Sequence, residues 1–191
     1  MDEHKNIRKP LLSEQVRLLA EEKGFTMSCD DLTGNMLRTL VSAKPGSRIL
    51  ELGTGAGYST TWILDGMDGS SSLISVESEA DFANIAIEII KDNRVQFHVG
   101  DGGAYIEEHS SEKFDIIFAD TWPGKFYMVE EVLEMVAGNG LYIIDDLNPQ
   151  TNWPEGHGDK VIELLEFLDQ REDFHKVKLD WSTGIMMMTK K

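Results

Sequence analysis

Between residues 47 and 64 a short apolar run, Ser47-Arg-Ile-Leu-Glu-Leu52, meets Gly53-Thr-Gly-Ala-Gly57 and continues as Tyr58-Ser-Thr-Thr-Trp-Ile-Leu64. The first run reads as a strand and the last as a helix. Three glycines between them let the backbone turn tightly and approach a ligand closely, because no Cβ stands in the way. A strand joined to a helix in this way is the opening unit of a parallel sheet, so the rest of the chain is read for repeats of it.

The repeats are present. Strand-like Leu73-Ile-Ser-Val76 precedes a helical face made by Phe82, Ile85, Ala86, Ile89 and Ile90, with Ser78 as the expected N-cap. Further strands are predicted at Val95–Val99, Phe114–Ala119 and Leu141–Ile144, and a helix carrying Val129, Val132, Leu133 and Val136 is predicted to stop at Gly138-Asn-Gly140. Two helices lead the chain, one carrying Leu12, Val16, Leu19 and Ala20 and one carrying Met36, Leu37, Leu40 and Val41. A last helix bears Val161, Ile162, Leu164, Leu165 and Leu168, and Lys176–Trp181 and Ile185–Thr189 close the chain as an antiparallel pair. Right-handed crossovers then place helices on both faces. The expected fold is a doubly wound, Rossmann-like α/β domain with a mostly parallel seven-stranded sheet and an antiparallel C-terminal strand.

Such a sheet binds ligands beyond the carboxyl ends of its strands, so the residues there are the candidates. Glu77 ends the second strand, where a carboxylate can accept from both hydroxyls of a ribose. Asp101-Gly102 follows the third and could accept from an adenine amino group. The glycine spacing is G-x-G-x-G, with Tyr58 where a dinucleotide fingerprint has its last glycine, which disfavours NAD. Asp120 ends the fourth strand and Asp145-Asp146 the fifth, and neighbouring strands run about 4.8 Å apart. Crowded carboxylates repel unless a cation neutralises them, and an all-oxygen set favours Mg²⁺, Mn²⁺ or Ca²⁺. In continuing strand geometry Asp145 and Asp146 face opposite ways, leaving one to meet solvent or cap a loop.

Composition narrows the partners. The 191 residues carry a formal charge of −16 and no basic cluster, which argues against nucleic acid and anionic membranes. One cysteine, Cys29, excludes an internal disulfide framework and a multi-thiolate zinc site, and suggests a reducing, cytoplasmic setting. The opening residues lack the apolar region of a secretory signal, and no run is long enough for a membrane span.

Ile49–Thr60, Ile74–Glu77, Val99–Asp101, Phe114–Asp120 and Tyr142–Asp146 together resemble class I S-adenosylmethionine-dependent methyltransferases, in particular the catechol O-methyltransferase-like group. The likeness runs from about Met27 to Asp146. It implies one methyltransferase domain over 1–191, with N-terminal helices in 1–46, a cofactor-binding core in 47–146 and a loop, helix and closing strands in 147–191. By that resemblance Gly53, Gly55 and Gly57 contact the methionine portion, with Glu51, Tyr58 and Ser59 beside them. Glu77 holds the ribose, Asp101 and Gly102 the adenine side, and Met27 and Ser28 line the cofactor. Asp120 adjoins cofactor and acceptor alike.

The family pattern also implies a magnesium ion held by Asp120, Asp145 and Asp146, although Asp146 stands where the pattern has Asn. It places a lysine three residues after the first Asp, whereas Asp120-Thr-Trp-Pro-Gly-Lys125 puts it five on. Lys125 is therefore the candidate base. The expected function is O-methylation of a small-molecule hydroxyl with divalent-metal assistance. The alternatives are a metal-independent N- or O-methyltransferase, in which Asp145 and Asp146 orient substrate, and a non-catalytic adenosyl-ligand binder. The segment Asn148–Gly158, with Trp153 and His157, reads as a substrate lid or an ordinary loop. His98 and Met186-Met-Met188 read as packing residues. The leading helices either cap the pocket or form a homodimer contact.

Overall fold

The computed structural model describes residues 2–151 and 153–191. Its elements run α1 (Ser13–Glu22), α2 (Asp31–Ser42), β1 (Arg48–Leu52), α3 (Tyr58–Gly66), β2 (Ser72–Glu77), α4 (Ala80–Ile89), β3 (Val95–Val99), α5 (Gly102–Glu108), β4 (Phe114–Ala119), α6 (Val129–Met135), β5 (Val136–Ile144), α7 (His157–Asp169), β6 (Phe174–Leu179) and β7 (Ile185–Lys190). One seven-stranded sheet has the order β3-β2-β1-β4-β5-β7-β6. The β1–β5 pairings are parallel, and β7 inserts antiparallel between β5 and β6.

The inner strands read as continuous apolar runs because both of their faces are covered. Leu50, Leu52, Ile117, Ala119, Tyr142 and Ile144 pack on one face with α5, α6 and α7 residues including Ile106, Leu133 and Leu164. Ile49, Ile116, Phe118 and Ile143 pack on the other with Leu37, Ile63 and Ala86. Met186 and Met188 are fully buried on the first of these faces, which gives the methionine run its packing role. His98 likewise packs edge-on against Tyr105, with ring centroids 5.0 Å apart. Asp30 caps α2 by accepting from the Thr33 N–H at 2.8 Å.

Three local expectations are corrected and one element is added. The N-cap of α4 is Glu79 rather than Ser78, and the Ser78 hydroxyl instead lies 3.4 Å from Glu77 Oε1. Helix α6 ends at Met135, so Val136 begins β5 and Gly138-Asn-Gly140 lie within that strand rather than stopping the helix. A register shift between Phe114 and Ile116 absorbs the irregularity. The short α5 was not foreseen, and β6 begins at Phe174, two residues early.

The chain passes β1→β2→β3 toward one edge and resumes at β4 on the other side of β1. That reversal opens a crevice at the carboxyl ends of β1 and β4.

Candidate functional site

A cleft of about 480 Å³ lies at the crevice. Its walls include Met27 and Ser28 before α2, Gly53, Gly55, Tyr58 and Ser59 around the glycine turn, Glu77, Asp120, Lys125 and Asp146. A smaller adjoining recess of about 250 Å³ brings Asp101 and Gly102 together with Glu77, Pro123 and Tyr127. Most residues singled out in the sequence thus converge on two connected spaces.

The glycine turn is held from both sides. Gly53 sits at φ +102°, and a Cβ there would lie 2.7 Å from the Asp120 carbonyl oxygen. Gly55 sits at φ +51° with its Cβ position 2.6 Å from the Phe25 ring, and its N–H donates to Glu77 Oε2 at 2.7 Å. Glu77 Oε1 accepts from the Glu79 N–H at 3.0 Å. The carboxylate is therefore pinned at the mouth of β2, with lone pairs left for a ligand hydroxyl.

Two expected contacts fall elsewhere. Glu51 is fully buried and accepts from the hydroxyls of Ser59 at 2.5 Å, Thr60 at 2.6 Å and Ser75 at 2.6 Å, so it braces β1 against α3 and β2 and does not face the cleft. Desolvation raises its pKa and those hydroxyls oppose the rise. Gly57, at φ +96°, serves close packing: its Cβ position is 2.7 Å from Ala86 Cβ.

The acidic end of the site is unequal. Asp120 lines the cleft, and its pKa is raised well above the usual carboxylate range, first by desolvation and then by Asp145, against an opposing effect of Lys125. Asp145 is buried behind it. Its Oδ1 accepts from the Thr183 hydroxyl and, at 2.8 Å, from the Asp146 N–H. Asp146 takes a left-handed φ of +56°, which breaks strand alternation and turns it toward the cleft. Among the described residues, no group of three or more His, Cys, Asp or Glu side chains converges as a metal-holding set. The expected Asp120, Asp145 and Asp146 triad is thus not assembled as a ligand set: Asp145 Oδ1 is held by the Thr183 hydroxyl and the Asp146 N–H, and Asp145 does not line the cleft with the other two. With the Lys125 side chain in the same wall as Asp120 and Asp146, the residues present do not fit a divalent ion.

Lys125 is 3% exposed and reaches the same cleft, with Nζ 5.3 Å from the Phe126 ring centroid. The five-residue spacing is taken up by a compact turn. Lys125 and Phe126 N–H groups donate to the Trp122 carbonyl at 3.1 and 2.8 Å, Gly124 donates to the Tyr127 carbonyl at 2.8 Å, and the Tyr142 hydroxyl donates to the Gly124 carbonyl.

The Asn148–Gly158 segment lines the cleft through Gln150, Trp153, Pro154 and His157. The His157 ring lies 4.5 Å from Trp153 and 4.9 Å, edge-on, from Phe126. Sequence reading missed Phe25, Phe82 and Thr183 in these walls. The Phe25–Phe82 pair, 4.7 Å apart, carries no motif, although Phe25 directly follows the Gly24 that ends α1. Cys29 also lines the cleft, and desolvation raises its thiol pKa well above the usual value. No helix among the described residues is long and apolar enough to cross a membrane.

A doubly wound sheet with a glycine turn and carboxylates at neighbouring strand ends around one cleft is the architecture of the class I methyltransferases. The chain belongs to the O-methyltransferase family, whose profile matches residues 2–191. It is 30% identical over 118 residues to catechol O-methyltransferase B of Danio rerio, covering 58% of this chain and 45% of that protein. It spans about half the length of the curated relatives it matches. The O-methyltransferase of Bacillus cereus, solved in complex with SAH, has the same fold, with TM-score 0.86 and 21% identity over 98% of this chain and 94% of that one. TomG of Streptomyces achromogenes, solved with SAM, superposes with TM-score 0.82 and 19% identity over 98% and 92%.

Proposed function

We propose that this chain binds S-adenosylmethionine in the cleft and transfers its methyl group to a hydroxyl oxygen of a small molecule, in the cytoplasm. The observation that carries the reading is the convergence of Gly53, Gly55 and Glu77 with Asp120 and Lys125 on one space. Family membership and the SAH- and SAM-bound relatives support it. In this reading Glu77 takes the ribose hydroxyls, the recess at Asp101 and Gly102 takes the adenine, and Met27, Ser28, Tyr58 and Ser59 flank the methionine end.

The acceptor then lies between Asp120, Lys125 and the aromatic residues of the lid. Its oxygen attacks the methyl carbon in line with the C–S bond, the bonding pair leaves on sulfur, and the hydroxyl proton passes to the Asp120 carboxylate. Burial strengthens that carboxylate as a base. Positioning supplies most of the acceleration in such a bimolecular step. Phe126, Trp153 and His157 give the acceptor an aromatic surround.

Calorimetric titration with S-adenosylmethionine, S-adenosylhomocysteine and NAD tests the proposal. Both adenosyl ligands are expected to bind one per chain and NAD not to bind. Absence of adenosyl binding overturns it, and adenosyl binding without methyl transfer to any member of a hydroxylated-compound panel favours the non-catalytic binder.

A further inference from the structure

The family pattern calls for a positive charge beside Asp120, Asp145 and Asp146, and this chain already carries one. Lys125 is almost wholly buried, in the same cleft walls as Asp120 and Asp146. A buried ammonium is costly to desolvate unless carboxylates compensate it. Asp145 adjoins that wall, its Oδ1 accepting from the Asp146 N–H at 2.8 Å. Among the described residues Lys125 makes no ion pair at 4.0 Å or less with Asp120, Asp145 or Asp146.

Its backbone is fixed rather than free to swing away. Gly124, at φ +79°, presses against β1 so closely that a Cβ would lie 2.6 Å from Leu52 Cδ1, and the Tyr142 hydroxyl ties the same residue to β5. Asp120 is tied to β1 by its N–H, which donates to the Leu52 carbonyl at 2.9 Å. The lysine and the carboxylate are therefore held on one rigid frame.

We propose that Lys125 is the resident cation of this site, standing in for the divalent ion of the family pattern, so that the transfer proceeds without metal. The inference rests on the reading of the cleft as the site of transfer. The ammonium stabilises the negative charge developing on the acceptor oxygen and neutralises the acids around it. Lys125 thus acts as a fixed charge, and proton acceptance falls to Asp120.

The test is Mn²⁺ binding followed by electron paramagnetic resonance, with S-adenosylhomocysteine present, in wild type, Lys125→Met and Lys125→Arg. Wild type and the arginine variant are expected to leave the free Mn²⁺ signal undiminished. The methionine variant, its acids left uncompensated, is expected to take up about one ion per chain, and saturating Mg²⁺ should raise its melting temperature by about 4 °C. Should that variant not fold, Lys125→Gln gives the same comparison. An EDTA-removable ion in wild type overturns the proposal, as does a folded neutral variant that takes up none. Calorimetry with S-adenosylhomocysteine on the same wild-type sample keeps the two readings separate: its failure overturns the methyltransferase reading, while the Mn²⁺ result still decides the cation.

Discussion

The Gly55 N–H donates to Glu77 Oε2 at 2.7 Å, joining the glycine turn after β1 to the carboxyl end of β2. One carboxylate thus shapes the turn and presents acceptors to the cleft. Glu77→Ala is expected to weaken S-adenosylhomocysteine binding by about 10- to 100-fold, the usual consequence of losing charged hydrogen bonds worth about 1.5–3 kcal/mol. Glu77→Gln, which keeps an acceptor for Gly55, should lose less. Calorimetry reads both, and an unchanged affinity in the alanine variant would sink the ribose assignment.

Gly53 carries a different constraint. Its φ of +102° is unfavourable for any L side chain, and the atom that a Cβ would meet at 2.7 Å is backbone, the Asp120 carbonyl, which cannot rotate aside. Gly53→Ala is expected to cost about 2–4 kcal/mol, through backbone strain and displacement of the β4 end. Thermal and urea unfolding should both register it. A stability within experimental error of wild type would show that the turn can relax.

The core of this architecture was legible because it rests on local signals. Continuous apolar strands, 3.6-residue helical faces and a glycine turn in β1–α3 context fixed the order of elements, and charged residues at strand ends marked the cleft. What escaped was short or non-local. Helix α5 spans seven residues opened by Gly102-Gly103, too few for a period to emerge. Thr183 reaches Asp145 only because β7 inserts between β5 and β6, a pairing that no spacing in the chain encodes. Glu51 reads as part of a ligand loop, yet its inward strand position and three hydroxyl partners make it a brace. The burial of Lys125 depends on how the Trp122–Tyr127 turn folds back, which the residue count alone does not reveal.

His157 opens α7 at 9% exposure, and neither ring nitrogen has a hydrogen-bond partner among the described residues. Desolvation, and then Lys125, lower its pKa below the ordinary imidazole value. A depressed histidine favours folding above its unfolded pKa of about 6.5, and that advantage is lost as pH falls through the lower folded value. Wild type should therefore lose stability relative to His157→Phe between pH 7 and pH 5. Melting temperatures of the two proteins across that range test this, and a difference that stays constant with pH would falsify the neutral, buried imidazole.

Asp145 titrates with the opposite sign. Desolvation pushes its carboxyl up to about 6, the Thr183 hydroxyl opposes the shift, and Asp146 adds to it. A raised carboxyl favours the folded state fully below its unfolded pKa of about 3.9, and this contribution disappears as pH rises through about 6. Above that point the fold holds an ionised group it would rather keep protonated. Asp145→Asn stays neutral throughout and can still accept from Thr183, so it should be more stable than wild type at pH 8 by on the order of 1–3 kcal/mol. The gap should close below pH 4. Urea unfolding of both proteins at pH 4, 6 and 8 measures it. A gap that does not vary with pH would assign the effect to packing rather than to the charge that Asp145 shares with Asp120 and Lys125.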